Sequence, residues 1–184
     1  MKRIAYAIML LLPVVAGFSS CSKEEDTAMP SVRAERMLIL RGNEAFEKGD
    51  YQEAANCYRR ALKENPQSPE ALFNNAVATM AIAEHMMAKN GTQPDSAAIK
   101  LTDEATQMYM QVSMLRDRAT GIAALACYNL GNHYFRTDKL DEAETYYRQS
   151  LRLAPDFDEA RRNLRITQLK KDQKQDQDKD KNQQ

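Results

Sequence analysis

Two stretches decide the reading: residues 41–66, RGNEAFEKGDYQEAANCYRRALKENP, and residues 130–155, LGNHYFRTDKLDEAETYYRQSLRLAP. Offset by 89 residues, they pair Gly42 with Gly131, Asn43 with Asn132, Phe46 with Phe135, Ala54 with Ala143, Tyr58 with Tyr147, Leu62 with Leu151 and Pro66 with Pro155. Internal repetition of this kind marks stacked copies of one supersecondary unit. In the first copy Leu38, Gly42, Ala45 and Phe46 recur at helical spacing, and Gly49-Asp50 then breaks the pattern. Ala54, Tyr58, Ala61 and Leu62 form a second stripe that stops before Pro66, whose ring cannot continue a helix. Each copy therefore spells two short helices. Small residues at Gly42 and Ala54, and at Gly131 and Ala143, let the paired backbones approach, while Tyr58 and Tyr147 fill the space beyond them.

The pattern resembles the tetratricopeptide repeat, a helix-turn-helix unit of 34 residues. The first unit covers residues 35–68 and the third 124–157, with Cys127 where a tryptophan is common and Ser150 at the second alanine place. A middle unit, residues 69–123, starts at Pro69 in register and has Ala76 at the glycine place. Its second helix arrives late, with Ala105, Met108, Tyr109 and Val112 as the inner stripe, so an insertion lengthens this pair around a turn at NGTQPDS, residues 90–96. A last helix, residues 157–169, has Ala160, Asn163 and Leu164 at the first-helix positions of a fourth unit, and Arg161, Arg162 and Arg165 would give it the polar outer face that a terminal cap requires. The expected fold is all-α: a solenoid of three helix pairs and a C-terminal capping helix.

Charge is balanced, 26 basic against 26 acidic residues, so no long-range field favours nucleic acid. Catalysis needs convergent groups, and the two histidines, His85 and His133, stand outside any metal, phosphate-loop or nucleophile motif. Cys57 and Cys127 either form a disulfide or serve as small apolar residues within helices. Neither has a basic neighbour of the kind that activates a thiol. The expectation is a chain without catalytic activity, cofactor or metal. The methionines of the middle pair, among them Met86, Met87, Met108, Met110 and Met114, suit irregular packing or an adaptable surface.

At the front, Lys2 and Arg3 precede an almost uncharged run over residues 4–18 and the small residues Ser19 and Ser20, the order of an export signal. The run is broken by Pro13 and is too short for a spanning helix of roughly 20 residues. The junction GFSSCSKEED resembles a bacterial lipobox, which implies that residues 1–20 are removed and that Cys21 carries lipid. An ordinary cleaved secretory peptide is the alternative. SKEED resembles the acidic tag of Bacteroides surface lipoproteins. A flexible tether is expected over residues 21–34. Residues 170–184, KKDQKQDQDKDKNQQ, have no apolar side chain to offset ordering entropy, and disorder is expected there.

In this repeat family first helices line a trough, and the resemblance puts its positions on Ile39, Asn43 and Phe46, then Phe73, Val77 and Met80, then Tyr128, Asn132 and Phe135. A peptide could lay apolar side chains against Phe73, Val77 and Met80 while the amides of Asn43 and Asn132 hold its backbone. Packing against the next unit is the competing duty of Phe73 and Met80. Family members that clamp a terminal carboxylate use lysine and arginine in the trough. That set is missing at places such as Ile39 and Leu125, so recognition of a free C-terminus is not expected. CYNLGN at residues 127–132, Asn163-Leu164 and the Gln/Lys/Asp tail resemble the BatC-type repeat proteins of the Bacteroides aerotolerance operon. That resemblance implies an envelope scaffold with von Willebrand factor A-type and MoxR-type protein partners. A binding lipoprotein accessory to surface uptake or secretion is the alternative, and an outer-membrane location, periplasmic or surface-exposed, follows from either.

Overall fold

The computed structural model describes residues 30–90 and 95–181. Seven α-helices and no strands occur among them: α1 (Pro30–Glu47), α2 (Tyr51–Glu64), α3 (Pro69–Asn90), α4 (Ser96–Ser113), α5 (Thr120–Arg136), α6 (Leu140–Leu153) and α7 (Asp158–Lys181). Each helix packs on its chain neighbours, and α3–α5 and α5–α7 also touch. The fold is the expected all-α solenoid: three pairs and a last helix. The expected export signal, residues 1–20, and Cys21 lie outside the described residues, as do residues 91–94 of the expected turn.

Local chemistry explains where helices begin. Asp50 accepts from the Glu53 backbone N–H at 3.0 Å, Ser68 from that of Ala71 at 3.2 Å, and Asp95 from that of Ala97 at 2.9 Å. Each satisfies an amide that the first turn leaves without an intrahelical partner. The turn inside the first pair needs a left-handed residue, and Gly49 takes φ +79° there. Its counterpart 89 residues on is Asp138, at φ 62°. Lys170 and Lys174 of α7 both pair with the Asp138 carboxylate, which ties this strained turn to the last helix.

The middle pair is longer than its neighbours, with 22 residues in α3 and 18 in α4 against 14 in each of α2 and α6. The core is mainly alanine with a few large inserts. Leu38, Ile39, Ala54, Ala55, Tyr58, Ala61, Ala71 and Ala78 pack together. Ala76, Met80, Ala105, Tyr109, Val112, Ala126 and Leu130 form the second cluster. Alanine lets helix axes approach and loses no side-chain entropy on burial.

Two boundaries are corrected. Residues 30–34, expected in a tether, are helical, because Glu35 accepts a 2.9 Å bond from the Asn65 side chain and so docks the front of α1 on the far end of α2. Residues 170–181, expected to be disordered, continue α7. Lys171 reaches Asp141 and Glu144 of α6, both at 2.5 Å, while Lys170 holds Asp138 at 2.8 Å. Once the packed front of α7 exists, adding residues costs far less than nucleating a helix.

Candidate functional site: the row of first helices

The two glycines of the repeated motif seat tyrosine rings. A methyl group on Gly42 would lie 2.8 Å from Tyr58 Cδ1, and one on Gly131 would lie 2.6 Å from Tyr147 Cδ1 and Cε1. Ala54 and Ala143 are fully buried beside them. The close approach that the sequence suggested between backbones is thus also an approach of ring to backbone.

From those rings a polar latch runs to the next unit. The Tyr58 hydroxyl donates to Asn43 Oδ1 at 2.8 Å, and Asn74 Nδ2 donates to the same oxygen at 3.2 Å. In the third unit the Tyr147 hydroxyl donates to Asn132 Oδ1 at 2.8 Å, and Asn163 Nδ2 donates to it at 2.9 Å. Asn163 also reaches the Tyr128 hydroxyl at 3.3 Å. Burial holds the Tyr58 phenol well above its ordinary pKa, so it stays a donor. Asn43 and Asn132, expected to grip a peptide backbone, therefore spend their carbonyl oxygens on the fold and keep only Nδ2 for a ligand. The middle unit departs from this scheme. Val77 stands in the register of Asn43 and Asn132, so it offers no amide oxygen to Asn129, which is in the register of Asn74 and Asn163.

The apolar trough positions divide. Ile39 (5% exposed) and Met80 (7%) are core side chains, which removes them from the expected contact surface. Phe46 is partly buried against the first cluster and meets the Tyr51 ring at 5.0 Å between centroids. Phe73 and Val77 are half-buried against the second cluster, Phe73 lying 5.8 Å from the Tyr109 ring. Tyr128 packs against Phe157 at 4.8 Å. Lys170 Nζ stands 5.0 Å above the Phe135 ring. Two further residues belong to this row. Ile166 and Leu169 fall at the places of Val77 and Met80 when the register is continued from Asp158, and they are 51% and 52% exposed. Continuing the count of 34 through residue 157 would have found them.

Charge on the row is sparse. Arg36 and Glu70 are exposed at its start, and Arg136 of α5 bonds Glu84 of α3 across it. His133 is half-buried, and burial with nearby Arg136 and Lys139 lowers its pKa. Cys57 and Cys127 are free and buried, not joined. Burial pushes the Cys127 thiol up to about 11 and raises that of Cys57. No group of three potential metal ligands occurs among the described residues, and none of their helices is long and apolar enough to cross a membrane.

Comparison with known sequences bears on this geometry directly. A family pattern described as TPR repeat matches residues 42–81, and one described as Tetratricopeptide repeat matches residues 124–157. The chain carries tetratricopeptide repeats. Its relatives include RNA polymerase II-associated protein 3 of Mus musculus, 27% identical over 150 residues, covering 79% of this chain and 20% of the relative. The Homo sapiens protein is 25% identical over the same share of this chain and 19% of its own. This chain spans about a fifth of the length of those relatives. Among solved structures, the first TPR of Spaghetti (RPAP3) bound to the HSP90 peptide SRMEEVD has a TM-score of 0.51 at 23% identity, over 74% of this chain and 92% of that one. The Sgt2 TPR domain of Aspergillus fumigatus has a TM-score of 0.55 at 20% identity, over 77% and 81%. These likenesses show the fold; tetratricopeptide repeats are protein-interaction modules.

Proposed function

We propose that this chain is a non-catalytic scaffold that holds a protein partner along the row of its first helices. The observation that carries the reading is the apolar stripe left partly open through Phe73, Val77, Phe135, Ile166 and Leu169. Half-exposed apolar side chains spaced along successive helices suit a peptide that buries its own apolar side chains between them. The HSP90 peptide held by the Spaghetti domain, SRMEEVD, is acidic. Here Glu70 and Glu84 lie on the row, and Arg136 is engaged with Glu84, so an apolar, weakly charged segment fits better than an acidic terminus. Cross-linked pull-down with the native chain and with Val77→Asp and Ile166→Asp tests this. Loss of the same partner from both variants is expected; an unchanged partner set would refute it. In the same experiment SRMEEVD is expected not to compete.

The finer reading places this scaffold in a bacterial envelope, held by lipid on Cys21, with von Willebrand factor A-type and MoxR-type proteins as partners. It is supported by the lipobox-like junction and the CYNLGN and tail likeness alone. Palmitate labelling that persists in Cys21→Ser would overturn the anchor. SKEED favours the second reading, an accessory to surface uptake, and protease shaving of intact cells separates the two locations.

A further inference from the structure

We propose that Lys170 is a gate at the α7 end of the trough: clasped by Asp138, its side chain covers the Phe135 ring, and released, it leaves that ring open to a partner. Continuing the register from Asp158 puts Lys170 at the place of Glu47, Ala81 and Arg136. It therefore stands on the row of first helices, and its Nζ lies 5.0 Å from the centroid of the half-buried Phe135 ring. The ring face attracts the ammonium group, and the methylene stem adds apolar cover.

The clasp is built into the turn between α5 and α6. The Asp138 backbone N–H donates to the Phe135 carbonyl at 3.2 Å, and that of Lys139 to the Tyr134 carbonyl at 2.9 Å. The Asp138 carboxylate is thereby fixed within one turn of the ring. It pairs with Lys170 at 2.8 Å and also with Lys174, one helical turn further along α7. The side chains of Lys170 and Asp138 are 40% and 49% exposed, so their pair is of the weak kind that mobile ions weaken further. The front of α7 does not depend on it. Ala160 and Thr167 are fully buried, Asn163 bonds Asn132 at 2.9 Å, and Gln168 bonds the buried Glu144 at 3.1 Å. Lys171 reaches that same acid. A lysine side chain is a flexible four-carbon stem, so it can leave the ring while its helix stays docked. The gate rests on the trough reading only in taking Phe135 as a partner-facing side chain.

The chain has no tryptophan, so Phe135→Trp in the full chain supplies a single reporter at the gate. Acrylamide quenching of its fluorescence reads ring exposure in about 0.05 M and about 1 M sodium chloride, the screening length shrinking to about 3 Å in the latter. The ratio of closed to open states should fall about 1.5- to 5-fold with salt, the worth of one exposed ion pair. Lys170→Gln and Asp138→Asn should each show the high-salt quenching at low salt. Asparagine tolerates the positive φ at position 138, so the turn is kept. In the native chain the ring-current shift of the Lys170 side-chain protons should shrink in step, while amide protection over residues 160–168 stays constant and any loosening is confined to residues after Lys171. Quenching and ring-current shift that ignore salt would overturn the gate. So would loss of protection over residues 160–168 at high salt, because departure of the helix would then be what uncovers the ring. No partner is used, so the gate can fail while the trough reading stands, and the pull-down above can fail while the gate stands.

Discussion

A single methyl group added to α5 should act in opposite directions at two places. At Gly131 the new carbon would lie 2.6 Å from two atoms of the Tyr147 ring, closer than real side chains approach. The ring cannot swing aside, being 1% exposed and held through its hydroxyl to Asn132 at 2.8 Å. Overpacking of this kind costs roughly 1–3 kcal/mol, and loosening the hydroxyl bond adds about 1 kcal/mol. Alanine returns about 1 kcal/mol of helix propensity, which leaves a net loss of about 1–3 kcal/mol for Gly131→Ala. Gly121, in the same helix, has nothing within 4 Å of the position its Cβ would take. Gly121→Ala should therefore stabilise by roughly 0.5 kcal/mol. Urea unfolding followed by circular dichroism measures both. A neutral or stabilising Gly131→Ala would refute the claim that the repeated glycine exists to seat the tyrosine ring.

Three further outcomes are expected. Asn75 is 6% exposed, gives its amide only to Met108 Sδ at 3.2 Å, and has no partner for Oδ1, although Leu130 fills the same register in the third unit. Asn75→Leu should raise the unfolding free energy by about 1–3 kcal/mol, and a lower denaturation midpoint would contradict this. Hydrogen bonds from Lys170 and Lys174 hold the Asp138 carboxyl at about 2, down from its ordinary 3.8. A depressed folded pKa means that this anchoring of α7 is present above pH 3.8 and is lost as pH falls towards 2. Hydrogen exchange across α7 should show that acid loosening in the native chain, with Asp138→Asn already loose at neutral pH; superimposable profiles would dismiss it. In a Cys21→Ser chain, Cys57 and Cys127 should react with a thiol reagent at neutral pH only after unfolding, and fast native labelling would count against their burial.

The pairing of helices was legible because it is written in short-range spacing: glycine, alanine and tyrosine recur at intervals that only one hairpin geometry satisfies. The long middle pair was legible for the same reason, through Ala76 and the delayed stripe at Ala105 and Tyr109. The end of α7 was not. Composition asks whether a segment can bury apolar surface, and residues 170–181 cannot. Their helix depends on lysines that reach Asp138, Asp141 and Glu144 across 27 to 36 residues of chain, which no local window contains. The trough was half legible. Register located Ile39 and Met80 correctly along their helices, yet whether such a side chain faces solvent or its neighbour depends on how the units rotate about one another. Ile166 and Leu169 were overlooked because only the packing places, Ala160, Asn163 and Leu164, were carried over to the last helix, and its trough places were not.

The valine at position 77 also has a consequence for the joint it occupies. Each end of the stack is cross-braced by one amide oxygen that two donors share, whereas between α3 and α5 valine supplies no such oxygen and the Arg136–Glu84 ion pair crosses instead. Salt screens a partly exposed charge pair and leaves hydrogen bonds between neutral groups nearly untouched, so the central joint alone is sensitive to ionic strength in this respect.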